Sequence, residues 1–581
     1  MILLNPRKLT RTYPDERSRA IMQATVDFFE RKGKQRLKAD DRERIWYADF
    51  LDFQRENKLF ATLLTPATYG DGCRWDTYRN CEFNEILAFY GLHYWYTWQV
   101  SILGLGPIWM SRNEALKQRA AALLQEGHVF AFGLSERAHG ADIYSTEMTL
   151  TPMPSPEPPA DAGIGSLPEG DREKSYLANG EKYYIGNGNI APMVSTFGKM
   201  AGTGEYVFFA ADYRNRGYEL VGNVVNVQSY VADFRLRNYP ITQGDILSQG
   251  REAWDTALNT VNVGKYNLGW ASIGICTHAF YEAIHHAAHR RLYGMAVTDM
   301  PHVKRMFVDA YVRLVAMKLF ALRASDYQRV ASPEDRRYLL YNPAVKMKVT
   351  TQGEEVINLL WEVIAAKGFE RDMYFEMAAR DIRALPKLEG TVHVNIALIV
   401  KFMANYFFNP APYPEVPIVD APVSDDFLFR QGPASGLGRI RFHDYAPILA
   451  RTDLPNVRLF REQIDVFRTL LAQATPAGPQ TEDVDFLLAL GEIFTLVVYG
   501  QLILEAAGLY SINDDLVDQI FSVLVRDVSK FALQLHSKPA STPEQAAFCL
   551  EMIRRPAEDT GRYERVWDEV YGLRDAYEME P

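Results

Sequence analysis

Leu388-Glu389-Gly390-Thr391 places one carboxylate at the mouth of a Gly-Thr turn between two helical patterns. Most loop glutamates simply face water. A glutamate shielded from water is a different reagent, because burial disfavours its charge, raises its pKa towards the working pH and makes it a better proton acceptor. Gly390 removes a side chain where a ligand would pass close to the backbone. Two upstream segments gather small residues, rings and hydroxyls: Phe132-Gly133-Leu134-Ser135-Glu136-Arg137-Ala138-His139-Gly140-Ala141-Asp142, and Asn179-Gly180-Glu181-Lys182-Tyr183-Tyr184-Ile185-Gly186-Asn187-Gly188. Two more, Arg290-Arg291-Leu292-Tyr293-Gly294 and Ile364-Ala365-Ala366-Lys367-Gly368, join a cation to a glycine. A guanidinium in particular suits phosphate oxygens.

The hydrophobic period says what must position these groups. Residues 1 to about 128 read as helical, with apolar residues at three- and four-residue spacing from Arg17 to Lys32 and from Ala115 to Gln125. Strands are expected at Ser145 to Thr151, Tyr206 to Ala210, Tyr218 to Val227 and Val231 to Leu236, with Tyr176 to Ile185 forming a hairpin that turns on Asn179-Gly180. The Pro-, Gly- and acid-rich stretch from Pro152 to Lys174 is expected as an exposed loop. Helical periodicity returns at Trp254 and lasts to Phe408, most clearly from Lys304 to Asp326. A Pro/Gly-rich linker at 409–439 precedes a second helical region, 440–581, with breaks near Pro476-Pro479 and Pro539-Pro543.

A chain of 581 residues is too long for one core. With 48% hydrophobic and 23% charged residues it has the composition of a soluble globular protein, and its 32 Tyr and 31 Phe supply many flat surfaces. The net charge of −10 argues against a sequence-independent nucleic-acid binder. Cys73, Cys81, Cys276 and Cys549 show no CxxC spacing, so a reducing, cytoplasmic setting is expected. The apolar run from Phe486 to Tyr510 is interrupted by Glu492, Gln501 and Glu505 and is expected as a buried or interface helix rather than a membrane span. Peripheral membrane contact there is left open.

In this order and at these separations, the segments around Ser135, Tyr184, Arg290 and Glu389 resemble the acyl-CoA dehydrogenase family over about residues 20 to 405. The resemblance implies FAD and an α+β, mainly α fold: N-terminal helical domain (1–128), middle β-domain (129–253), helical bundle (254–408), then the linker and an extra C-terminal helical domain (440–581). It implies that Glu389 removes the α-proton of an acyl thioester while a hydride passes to the flavin. It places Phe132, Leu134, Ser135, Gly140, Ala141, Tyr184, Gly186, Arg290, Tyr293, Lys367, Gly368 and Thr391 at the cofactor, and Ala141, Lys265 and Gly390 at the substrate. Arg290 would reach across a dimer interface to the FAD pyrophosphate of a neighbouring subunit. In relatives with such a C-terminal extension, the extension packs over the dimer on the surface that would otherwise form a tetramer contact, so the resemblance implies a homodimer.

Some relatives carry the base where this chain has Gly264, which leaves Glu389. The chain departs from the family at Ala141 and Leu292, each without the usual hydroxyl. Gly186 stands for a common Thr, and Ala365-Ala366 for Gly-Gly. The Glu-x-x-His spacing at Glu282 and His285, with His286 and His289, has no second copy and is expected as a surface or interface group. The expected function is dehydrogenation of a medium-to-long acyl-CoA, with electrons leaving to electron-transfer flavoprotein. An oxidase, an acyl-carrier-protein dehydrogenase and a degenerate scaffold that only binds thioesters are the alternatives. Chain length is not readable, since each methylene is worth only about 1–3 kcal/mol of discrimination.

Overall fold

Helices start where side-chain oxygens take up unpaired backbone donors. Asp15 accepts the Ser18 N–H at the head of α1 (Glu16–Lys32), and Asp76 accepts from Arg79 at the head of α2 (Thr77–Tyr90). Next come α3 (Leu92–Met110), buried almost all round, and α4 (Glu114–Gln125), capped by Asn113. The structure, a computed structural model, describes residues 2–9, 15–153 and 174–580. The expected loop between Pro152 and Lys174 therefore lies almost entirely outside the described residues.

The strand block comprises β1 (Ala131–Gly133), β2 (Thr149–Pro152), β3 (Ser175–Gly186), β4 (Val194–Met200), β5 (Tyr206–Ala211), β6 (Tyr218–Asn223), β7 (Val231–Thr242) and β8 (Ile246–Gln249). One sheet joins them in the order β6-β7-β3-β2-β4-β5-β8, with β1 parallel to β4. The hairpin expected at Asn179-Gly180 does not form. Strand β3 runs straight through it, and the pair makes a bulge against β7, where the register shifts between Ala178 and Gly180. Gly180, at φ +147°, passes so close to β2 that a Cβ would lie 2.8 Å from Met148 Cα. The same dipeptide that closes a tight turn thus serves here as a close crossing. Strand β6 ends at Asn223, short of Val227, and β7 runs on to Thr242.

The bundle follows: α5 (Gly250–Gly264), α6 (Asn267–His289), α7 (Pro301–Arg329) and α8 (Thr350–Ile364). Helix α6 lies against α2, α7 and α8. A π-helical turn, Val345–Val349, leads into α8; such turns cluster at functional sites. Shorter helices α9 (Tyr374–Asp381) and α10 (Val392–Ile399) flank the Glu389 turn.

Beyond the linker lie α11 (Pro455–Gln473), α12 (Val484–Leu509), α13 (Asp514–His536) and α14 (Thr560–Tyr571). Among the described residues α12 is the one helix long and apolar enough to cross a membrane, but 78% of its most apolar window is buried inside the protein, against α7, α10 and α13. Charged pairs stitch this region to the bundle. Arg313 on α7 grips Asp527 on α13 at 2.8 and 3.0 Å, and Arg323 donates to Glu505 on α12 at 2.8 Å. The last residues return to the first: Asn5 donates to Ala576 O, and Lys34 N to Glu580 O, both within 3.1 Å. Tyr577, 1% exposed, sits between them against Phe89 and donates to Glu30.

Candidate active site

The turn that presents Glu389 is held in an uncommon backbone shape. Glu389 has φ +52° and Gly390 φ +86°, and a non-glycine residue there is strained by about 1–3 kcal/mol. Three groups hold the loop in place. Lys346, from the π-helical turn, donates to Pro386 O at 2.7 Å and to Gly390 O. Asn395 Nδ2 donates to Gly390 O and Thr391 O at 3.2 and 2.9 Å. Lys265, just past α5, lies with Nζ 3.5 Å from Asn395 Oδ1. Thr391 caps α10, accepting the Val394 N–H at 3.4 Å.

The Glu389 backbone lies near the surface, but its carboxylate is enclosed. Oε1 accepts from Gln99 Nε2 at 2.5 Å, and Oε2 is out of solvent with no partner. Burial raises the carboxyl to about 7, against the downward pull of the Gln99 bond and the Lys346 and Lys265 charges. Burial also lowers Lys346 to about 7 and Lys265 to about 8, each opposed by Glu389. Among the described residues the Glu389 N–H has no acceptor. The site therefore gathers a carboxylate and two amines that all exchange protons near neutrality, around a free oxygen and a free N–H.

Helix α3 forms a wall that the sequence did not announce. Tyr96, Gln99, Val100 and Leu103 recur at helical spacing along it. Gly186 and Gly264 are the hollows they fill. A Cβ on Gly186 would lie 2.7 Å from Tyr96 Cε1 and from Val100 Cγ1; one on Gly264 would lie 2.8 Å from Leu103 Cδ2 and 3.0 Å from Gln99 Nε2. The hydroxyl lost at 186 is thus matched by the Tyr96 ring, and the missing side chain at 264 makes room for the Glu389 carboxylate, whose Oε2 would be 3.6 Å from that Cβ.

On the strand side, Ser135 donates to Tyr183 O at 2.6 Å and accepts nothing from the pocket, its O taking the Tyr183 N–H. Buried Lys182 donates to Leu134 O at 3.0 Å and to Glu136 at 2.7 Å, and Glu136 accepts the Glu147 and Met148 N–H groups. This pair fixes the Leu134–Asp142 turn from below. Tyr184 is 59% exposed at φ +65°, its ring turned out of the sheet at a second bulge. Phe132 points into the core and stacks on Phe208, so only its backbone is left for a ligand. Nothing lies within 4 Å of a Cβ built on Gly140, and Ala141 is exposed.

Arg290 and Tyr293 do not join this pocket within one chain. Lys265 precedes α6 and Arg290 follows it, and 23 residues of helix separate them by about 34 Å. Tyr293 is 93% exposed at φ +53°, at the tip of the small hairpin Arg291–Leu292/Met295–Ala296. Arg290 and Lys367 come together elsewhere: His286, lowered first by burial, is lowered further by both their charges. Lys367 also pairs with Glu370 at 2.7 Å. Ala365 takes φ +55° and ψ −137°, a shape suited to glycine, so the backbone keeps the glycine-like turn although the methyl strains it. Gly368 is packed under Trp361, Ile364 and Phe375. Glu282 accepts the Tyr374 and Phe375 N–H groups at the head of α9, which accounts for it without a metal.

The family described as acyl-CoA dehydrogenase, C-terminal domain, matches residues 252–404. The caffeyl-CoA reductase-Etf complex subunit CarC of Acetobacterium woodii is 21% identical over 398 residues, covering 67% of this chain and 98% of that one. The 3-(aryl)acrylate reductase of Clostridium sporogenes is 23% identical over 306 residues, covering 52% of this chain and 75% of that one. A solved acyl-CoA dehydrogenase of Bacillus anthracis, complexed with FAD, matches with a TM-score of 0.73 at 15% identity, over 99% of this chain and 97% of that one. At that identity the likeness is one of fold, and it takes in the C-terminal helices. A sequence match across the bundle and a fold match along nearly the whole chain agree: residues 252–404 match the acyl-CoA dehydrogenase C-terminal domain, and the chain as a whole has the acyl-CoA dehydrogenase fold.

Proposed function

We propose that the protein catalyses α,β-dehydrogenation of a medium-to-long acyl-CoA, with Glu389 as the base. The observation that carries this reading is the enclosed Glu389 carboxylate, with one oxygen held by Gln99 and the other unpartnered. A carboxyl raised to about 7 by burial is matched to removing a weakly acidic α-proton near neutral pH. Its unpaired N–H supports a role in receiving the thioester oxygen as charge develops there. Lys346 and Asn395 hold the turn, so that the base and this donor move as one unit.

The residues present fit FAD. Tyr184 offers an outward ring, Gly140 borders open space, and Arg290 brings a guanidinium suited to pyrophosphate, with Lys367, paired to Glu370, as a second cation near His286. Ser135, Leu134 and Thr391 would contribute backbone or hydroxyl contacts. FAD held by these residues would supply the acceptor for the β-hydride. Because Arg290 and Tyr293 stand about 34 Å from Lys265 along α6, they would serve a neighbouring subunit in a homodimer. Electron-transfer flavoprotein would take the electrons. The division at residues 128, 253, 408 and 439 belongs to the same reading, with the C-terminal helices favouring longer chains.

A second reading, reduction of an α,β-unsaturated thioester, draws on the two relatives named as reductases. One experiment separates the directions. FAD-loaded protein is mixed anaerobically with acyl-CoAs of increasing length, and the oxidised-flavin absorbance is followed beside Glu389→Gln. Bleaching in the wild type, slowed by about 10²–10⁴ in the variant, is the expected result. Reduced flavin that reoxidises only with an enoyl-CoA would favour the reductase. Failure to bind FAD would overturn both and leave a thioester-binding scaffold.

A further inference from the structure

Gln99 can meet Glu389 with either end of its amide, and only the NH2 end leaves the carboxylate its bond. The choice is made three side chains away. Trp95 and Trp98 both direct their indole N–H at Asn84 Oδ1, at 2.7 and 3.0 Å. An indole N–H can only donate, so Asn84 must turn its oxygen to the tryptophans and its nitrogen away. Asn84 Nδ2 then donates to Asn80 O at 2.7 Å and to Asn267 Oδ1 at 2.8 Å. With its oxygen so engaged, Asn267 gives Nδ2 to Gln99 Oε1 at 2.9 Å. Gln99 is left with Nε2 for Gly264 O at 3.1 Å and for Glu389 Oε1 at 2.5 Å. Asn84, Asn267 and Gln99 are at most 1% exposed, so turning any of them would set N–H against N–H, or O against O, away from water.

We propose that Trp95, Trp98, Asn84, Asn267 and Gln99 form a one-way amide relay that keeps Glu389 Oε1 permanently an acceptor and thereby makes Oε2 the oxygen that takes the substrate proton. The proposal rests on the reading of Glu389 as the base. In the step, the α-carbon keeps the C–H electron pair and the proton moves to Oε2, the oxygen left without a partner. Gln99 is a positioning residue, and Asn267 and Asn84 act through it. The other groups facing the carboxylate are Lys346, Lys265 and Tyr96. The two lysines stabilise the charge but cannot choose between its oxygens by orientation, since an ammonium presents donors in every direction.

The test reads the Glu389 carboxyl directly, by infrared titration of the holoenzyme with Glu389→Gln as the subtraction, beside the pH profile of flavin reduction. Gln99→Met should move the carboxyl titration and the acid limb of the rate up by about one pH unit. Turnover should then fall about tenfold near pH 6, with KM unchanged. Asn267→Leu leaves Gln99 in place but free to turn, and should shift both readouts the same way by less. Trp98→Phe, the mildest change, serves if those variants fold poorly, and should shift them least. A titration unmoved by Gln99→Met overturns the proposal. So does an Asn267→Leu protein that loses only thermal stability, because the amides would then be structural. If Glu389→Gln reduces flavin at the wild-type rate, the base assignment fails instead, while the infrared titration still reads the relay.

Discussion

Glu389 and Glu505 are both withdrawn from water, yet burial raises the first to about 7 while the second is held at about 2. The difference lies in their company. Glu505 also suffers burial, but His443 at 2.8 Å and Arg323 at 2.8 Å outweigh it. Asp527 is in the same position, since burial is overcome by the two-pronged Arg313 and the carboxyl sits at about 2. In the seam between bundle and C-terminal helices these two buried acids each meet a matched cation. In the pocket the amines give their hydrogen bonds to carbonyls and amides, and the carboxylate keeps one oxygen bare. Paired burial locks two parts of the chain together; unpaired burial leaves groups that trade protons near neutral pH.

Removing one side of a matched pair is the most forceful way to break this contrast. Arg313→Met strands the Asp527 carboxylate and should cost about 3–5 kcal/mol in urea unfolding. The double variant Arg313→Met/Asp527→Leu should recover most of it. A single variant that unfolds at the wild-type midpoint would show that the pair is not what joins α7 to α13.

The corresponding change in the pocket should act on chemistry. Lys346→Met removes a charge that pulls Glu389 down. The carboxyl should then titrate higher and the acid limb of flavin reduction move to higher pH, with about a tenfold loss near pH 6. An unshifted limb would mean that Lys346 only ties the loop.

Little of the pocket beyond Glu389 was legible in the sequence. The Glu-Gly-Thr turn could be read because glycine and a cap residue mark a helix boundary. Tyr96 and Gln99 could not, because α3 is buried almost all round and has no apolar face to set off a polar one. Lys346 hid in an apolar stretch, where one lysine reads as an exposed position, although the residue is fully buried. Strand β4 escaped for the same reason: Val194 to Gly198 are buried on both faces, so no alternation appears. Asn179-Gly180 misled because local turn chemistry fits a bulge as well as a hairpin, and only the neighbouring β2 strand decides between them.

The mildest test of the contrast is acid stability. Glu505 is depressed from 4.5 to about 2, so its contribution is complete above the unfolded value and drains away as pH falls towards the folded one. Melting temperature should drop by a few degrees between about pH 5 and pH 2, and Glu505→Gln should lose that part of the slope. An identical slope in the variant would place the acid sensitivity elsewhere.

The junction of the first and last residues bears on how the protein is made. The slot between Phe89 and Glu30 that receives Tyr577, and the Lys34 N–H that meets Glu580 O, belong to helices synthesised early. A ribosome adding about 5–20 residues per second exposes that apolar slot for tens of seconds before its occupant exists. The amino-terminal helices must wait, half-finished, for the tail. Nascent chains stalled just short of residue 576 should therefore present this slot to chaperones, whereas completed chains should not.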